Sequence, residues 1–148
     1  ALMEPLKVHG KLSRWEQREK ILTLIDEVGL RPNVLEKLPH ELSGGQRQRI
    51  CIARALVVNP KIIVFDESVS ALDVSIQADV LNLLNKIKKQ KKLTYIFISH
   101  DLSVIRFMCD RVMIMKSGEI IEIGPSEEIF NSPKSTYTNE LFSLVLDS

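Results

Sequence analysis

The stretch Ile62 to Ile98, "IIVFDESVSALDVSIQADVLNLLNKIKKQKKLTYIFI", decides the fold. It opens with four β-branched or aromatic residues, Ile62 to Phe65, stopped by two acids, Asp66 and Glu67. That is the pattern of a strand covered on both faces in a parallel sheet. After Asp73 and Ser75, the residues Ile76, Val80, Leu83, Leu84 and Ile87 fall on one helical stripe. The polar tail Lys86 to Lys92 then leads to a second apolar run, Tyr95 to Ile98. Strand, amphipathic helix and strand make a βαβ unit, whose crossover sets the two strands parallel. The expected fold class is α/β.

Working upstream, "ELSGGQRQRICIARAL" (Glu41 to Leu56) reads as a helix from Gly44 to Val58, apolar on several sides and stopped by Asn59-Pro60. Before it, Ser13 with Glu16 forms a capping box, and Ile21, Leu22, Ile25 and Val28 repeat at helical spacing until Gly29. Arg31-Pro32-Asn33 breaks the chain, and a short segment carries Leu35 and Leu38. Downstream, Asp101 looks like the cap of a helix with Val104, Ile105 and Met108. Strands Val112 to Met115 and Ile120 to Ile123 follow, joined at Ser117-Gly118. Two short helices are expected near Glu127 to Phe130 and Thr138 to Val145, with no internal repeat anywhere. The expected organisation is a helical subdomain over residues 1–60, the α/β core over 61–123 and a helical tail over 124–148.

The chain has 148 residues with 45% hydrophobic content, enough for one real core. A net charge of +1 gives no global field toward nucleic acid, a membrane surface or an acidic substrate. The run Lys86, Lys88, Lys89, Lys91, Lys92 has no interleaved aromatics and reads as a solvated helix end. Cys51 and Cys109 stand singly inside apolar patterns, as small core residues of a reducing compartment. No signal peptide is seen, and no apolar run approaches the roughly 18 residues of a membrane span. His9 and His40 have no partner pattern, and Trp15 is expected to pack the helix it starts.

Chemistry is expected where the two buried strands end, because loops and helix N-termini converge there in α/β sheets. One strand runs into Asp66-Glu67 and the other into Ser99-His100-Asp101. Adjacent carboxylates suit a magnesium ion on one acid while the other orients or deprotonates a water. A histidine at the next strand end can hydrogen-bond a phosphate oxygen or a polarised water. A solvated turn accounts for the acids as well, and His100 could simply precede the Asp101 cap.

Ser43 with Gln46 is itself a capping box, so "SGGQ" could do no more than start a helix. Two glycines in a first turn nevertheless cost about 1 kcal/mol each relative to alanine. They remove side chains where backbone N–H groups and the helix dipole face an anion, so a phosphate-facing helix start is favoured.

In order, "LSGGQ" (Leu42 to Gln46), "IIVFDE" (Ile62 to Glu67), "SALD" (Ser70 to Asp73) and "SHD" (Ser99 to Asp101) resemble the signature, Walker B, D-loop and switch-histidine motifs of ATP-binding-cassette (ABC) ATPases. "SALDVSIQADVLNLL", "SHDLSVI", "GEIIEIGPSEEIFNSPKSTYT" and "EPLKVHG" look most like the ATPase subunits of oligopeptide and dipeptide importers. The resemblance covers nearly the whole chain and implies part of a P-loop NTPase-like parallel sheet with a helical signature subdomain. It implies ATP and Mg2+ as cofactors, Asp66 as the magnesium residue, Glu67 as general base and His100 on the γ-phosphate. Leu42, Ser43, Gly44, Gly45, Gln46 and Asp73 would belong to the nucleotide site, with Asp73 at the subunit seam. Ser43, Gly45 and Gln46 would meet the γ-phosphate held by a second ATPase subunit, in a homo- or heterodimer joined to transmembrane permease subunits. The implied place is the cytoplasmic face of the membrane, with no nucleic acid.

Two departures stand out. Ser68 occupies the position where the family usually has proline after the Walker B glutamate. None of the six glycines lies in a G-x-x-x-x-G-K-[ST] loop, and no strand-end glutamine serves as a Q-loop, since Gln17 lies inside a helix. The chain is therefore expected to match the cassette only from just after the Q-loop and to bind ATP weakly or not at all alone. Missing strands would leave an apolar surface or strand edge for self-association. Two alternatives stand beside the importer ATPase: a cassette of DNA repair or chromosome organisation, and a non-catalytic interaction module.

Overall fold

The structure, a computed structural model, describes residues 2–9 and 12–146. Its elements run α1 (Met3–His9), α2 (Arg14–Glu27), two 3-10 turns, α3 (Gly44–Leu56), β1 (Ile62–Asp66), α4 (Val74–Lys91), β2 (Thr94–Ile98), α5 (Leu102–Met108), β3 (Arg111–Lys116), β4 (Glu119–Pro125), α6 (Ser126–Asn131) and α7 (Thr136–Leu146). The chain forms two compact units, one running to Ile96 and the other from Phe97.

In the first unit the Ser13–Glu16 capping box is present in both directions, at 2.7 and 3.3 Å. Ile21, Leu24, Ile25 and Val28 are buried along α2, and Gly29 closes it at φ 72°, a left-handed geometry in which glycine has no Cβ to strain. α1 has no counterpart in the periodicity reading, because seven residues are too few to show a stripe. Its Pro5 lies in the first turn, where a missing N–H is harmless, and Leu2 and Leu6 are buried. Trp15 does not pack: at 71% exposure it lies on the outer face of α2. Of the short segment after Pro32, Val34 is the buried residue, while Leu35 and Leu38 are exposed.

α3 buries one face, through Gly45, Ile52, Ala53 and Leu56, rather than several. Cys51 points away from that face and is exposed, which corrects its reading as a core residue. β1 and β2 pair in a two-stranded sheet joined through α4. Its strands alternate instead of being covered on both faces: Ile63 and Phe65 are buried, whereas Ile62, Val64, Ile96 and Ile98 are about half exposed, each near 50%. On the covered face Phe65 meets Tyr95 edge-on, with centroids 4.9 Å apart. The Tyr95 hydroxyl donates to the Leu84 carbonyl of α4 at 3.2 Å. Half-burial pushes the Tyr95 phenol up to about 12. α4 buries Val80, Leu81, Leu84 and Ile87, and Lys92 closes it in the left-handed region. Lys91 reaches Glu27 of α2 at 2.9 Å, so the lysine tail is anchored there to α2.

In the second unit β3 and β4 form an antiparallel hairpin across Ser117-Gly118, both at positive φ, with an irregularity between Ile114 and Met115. Val112 and Ile114 point into a core with Leu102, Ile105, Ile129 and Phe142, and Phe97 and Cys109 pack against it half-buried. Glu122 of β4 accepts backbone N–H bonds from Lys134 (2.9 Å) and Ser135 (3.1 Å), just ahead of α7. The carboxyl is held below its ordinary range, first by the Lys134 N–H and then by the Thr138 side chain, though that hydroxyl makes no bond of full geometry. No helix among the described residues is long and apolar enough to cross a membrane.

Candidate functional site

β1 ends at Asp66, and the chain leaves it through Glu67 at φ 48°, a left-handed conformation unusual for a residue with a side chain. Both carboxylates are exposed at the carboxyl end of the strand. The turn is pinned from ahead, since Ser70 donates its hydroxyl (2.9 Å) and its backbone N–H (3.4 Å) to the Glu67 carbonyl. Leu72 N–H then donates to the Val69 carbonyl at 3.2 Å. Between them, the Ser68 hydroxyl oxygen is buried with no hydrogen-bond partner among the described residues. A proline there would bring no hydroxyl to satisfy.

α3 starts at a reciprocal box in which Ser43 Oγ accepts from Gln46 N–H (3.2 Å) and Gln46 Oε1 accepts from Ser43 N–H (3.1 Å). Both polar side chains of "SGGQ" are engaged there. The N–H groups of Gly44 and Gly45 remain as first-turn donors for which a helix has no acceptor of its own. Ser43 is exposed, Leu42 and Gly45 are buried, and Gly44 and Gln46 are half-buried.

The glycines also have a packing reason. A Cβ on Gly45 would fall 2.8 Å from Ile76 Cγ2, and one on Gly44 3.5 Å from Leu72 Cδ2. The first distance excludes any side chain unless something moves. The start of α3 is thus seated on the turn and first coil of α4, next to Asp73, which caps α4 through its backbone without a side-chain bond. The structure brings Leu42–Gln46 and Asp73 into one neighbourhood through Leu72 and Ile76, two residues that the motifs include without giving them a role in the site. The available signal was a pair of glycines that helix propensity disfavours.

"SHD" lies in the second unit. Asp101 Oδ1 accepts from Ser103 N–H (2.9 Å) and Val104 N–H (3.3 Å), so Asp101 is the cap of α5. Ser99 Oγ accepts the Asp101 N–H at 3.0 Å, and His100 between them is exposed. Ser99 and Asp101 therefore set the turn that presents His100.

Among the described residues no three His, Cys, Asp or Glu side chains gather as a metal cage. The donor set at the end of β1, one or two exposed carboxylates, instead fits magnesium, which binds through few carboxylates and completes its shell with water and phosphate oxygens.

Three comparisons bear on these residues. The family model described as ABC transporter matches residues 2–70. The chain is 54% identical over 130 residues to the oligopeptide transport ATP-binding protein OppF of Streptococcus pyogenes, covering 88% of this chain and 42% of that protein. It is 51% identical over 142 residues to the dipeptide transport ATP-binding protein DppF of Haemophilus influenzae (96% and 43%). It is 47% identical over 145 residues to the glutathione import ATP-binding protein GsiA of Pectobacterium atrosepticum (98% and 23%). The chain therefore spans less than half the length of these relatives. Among solved structures, the ATP-binding cassette MJ0796, in a dimeric post-hydrolysis state bound to ADP and Pi, superposes with a TM-score of 0.71 at 33% identity, over 84% of this chain and 54% of that one.

Proposed function

From the premise that this chain belongs to the ABC transporter family, we propose that it works as part of the ATP-binding, ATP-hydrolysing subunit of an importer for oligopeptides or dipeptides. The observation that carries this reading is 47–54% identity, over 88–98% of the chain, to ATP-binding proteins named for importing peptides and glutathione. Identity of that extent favours the importer over the DNA-repair or interaction-module alternatives.

Within this reading each residue has a task that its position supports. Asp66, exposed at the end of β1, holds magnesium. Glu67, raised beside it by the left-handed turn, takes a proton from the attacking water as general base. His100, presented by the α5 cap, hydrogen-bonds the γ-phosphate. The tip Leu42 to Gln46, with Ser43, Gly45 and Gln46 foremost, faces the nucleotide of a second ATPase subunit, and Asp73 lies at that seam. ATP and Mg2+ supply, when bound, the phosphoryl group and the neutralisation of its charge. The partners are a second cassette and membrane permease subunits, and the place is the cytoplasmic face of the membrane.

The test is ATP turnover and binding by the complete gene product, wild type against Glu67→Gln. Turnover is expected to fall by at least about 100-fold with ATP binding retained, the size of effect expected when a general base is removed. Equal turnover in the variant would overturn the role of Glu67. The 148-residue chain alone is expected to show no micromolar Mg-ATP affinity by isothermal titration. A micromolar constant would overturn that part.

A further inference from the structure

We propose that Ile76, with Leu72 beside it, is a positioning residue that sets the height and tilt of the Ser43–Gln46 tip. This rests on the reading of that tip as a phosphate-facing element and adds what holds it in place. Two neighbouring contacts point the same way. Ile76 Cγ2 fills the space where a Gly45 Cβ would stand, at 2.8 Å, and Leu72 Cδ2 lies in ordinary contact range of the corresponding point on Gly44, at 3.5 Å.

The physical chain runs through α4. Ile76 is in the first coil of that helix, three residues after its Asp73 cap, and it is half-buried against the start of α3. Its β-branched side chain is stiff at χ1, so the methyl is a fixed stop rather than a yielding one. The backbone of α3 rests on it directly at Gly45. The reciprocal bonds between Ser43 and Gln46 lock the coil that carries the N–H donors, so a shift at Gly45 moves those donors together. A displacement of about 1 Å is enough to lose an aligned charge-stabilising contact. Signature tip and D-loop turn thus move as one piece, set by a methyl group that touches no nucleotide.

The test is a double-mutant cycle in the complete gene product, with kcat and KM for ATP as readouts. Gly45→Ala is expected to lower kcat about 10-fold or more. Adding Ile76→Ala, which removes the obstructing methyl, is expected to recover at least about three-fold of that loss, a non-additivity characteristic of residues in contact. Ile76→Val keeps both branches at Cβ and is expected to give no recovery in the Gly45→Ala background. If the single effects multiply, or if valine rescues as well as alanine, the positioning role is overturned while the ATPase reading stands. If the wild type hydrolyses no ATP, both fall. Denaturant unfolding of the same five proteins separates positioning from stability: recovery of stability without recovery of kcat overturns the proposal.

Discussion

Arg49 of α3 donates through Nη1 to the carbonyl of Val28, the residue that closes α2, at 2.8 Å, and it does so across the space that Gly29 leaves open. A Cβ on Gly29 would stand 3.0 Å from that same nitrogen. A cation here satisfies one of the orphan carbonyls at the helix end and lies at the negative pole of its dipole. Arg49→Met is therefore expected to destabilise the first unit by about 1.5–3 kcal/mol, the range for a hydrogen bond from a charged group. Gly29→Ala is expected to cost about 1–2 kcal/mol for a left-handed residue with a Cβ. Urea unfolding monitored by far-UV circular dichroism checks both, and an unchanged midpoint for Arg49→Met would show that the bond contributes nothing.

The orphaned Ser68 hydroxyl predicts the opposite sign. Its oxygen is buried without a partner among the described residues, so Ser68→Ala removes a desolvated polar group and is expected to stabilise the chain by about 1 kcal/mol. A loss of stability in the same unfolding assay would mean that the hydroxyl is satisfied in solution.

Glu122 gives a pH-dependent expectation in the second unit. Its folded value is below the ordinary one, chiefly through the Lys134 N–H, so the stabilisation is fully present above about pH 4.5. It is lost as pH falls through the lower folded value. Thermal melts from pH 7 down to about pH 3 are expected to show this decline, and Glu122→Gln is expected to flatten it. A variant with the wild-type profile would assign the decline elsewhere.

Tyr95 gives the alkaline counterpart. The folded protein favours the neutral phenol, raised to about 12 from the usual 10, because the ring is half-buried. The Tyr95 contribution to stability is therefore constant below the unfolded value and falls as pH rises from about 10 to about 12, where the unfolded chain binds fewer protons. Tyrosinate absorbance should show a late phase that is lost in Tyr95→Phe. Absence of that late phase from the wild type would contradict the burial of this ring.

The βαβ unit and the β3–β4 hairpin were legible because their signals are local and repeated. The Ile76-to-Ile87 stripe, the acid stops and the turn at Ser117-Gly118 each follow from one short window of residues. Burial on the second face was not, since Ile62, Val64, Ile96 and Ile98 look the same whether or not something covers them. Trp15 and Cys51 were misplaced for a related reason: composition suggests an interior, but the helical register turns both outward. At the candidate site, motif order singled out Asp66, Glu67, His100 and the α3 tip as the residues proposed to act. The seat of that tip on Ile76 depends on a contact between residues 31 positions apart, which no window spans.

Glu67 occupies a backbone shape in which glycine would be most comfortable, and holding any other residue there costs about 1–3 kcal/mol. Replacing it by glycine should yield a sturdier molecule that keeps Asp66 but lacks the general base proposed at Glu67. On the role proposed for Glu67, selection for robustness and selection for turnover pull in opposite directions here, so a thermostabilising screen blind to catalysis is expected to return the glycine variant.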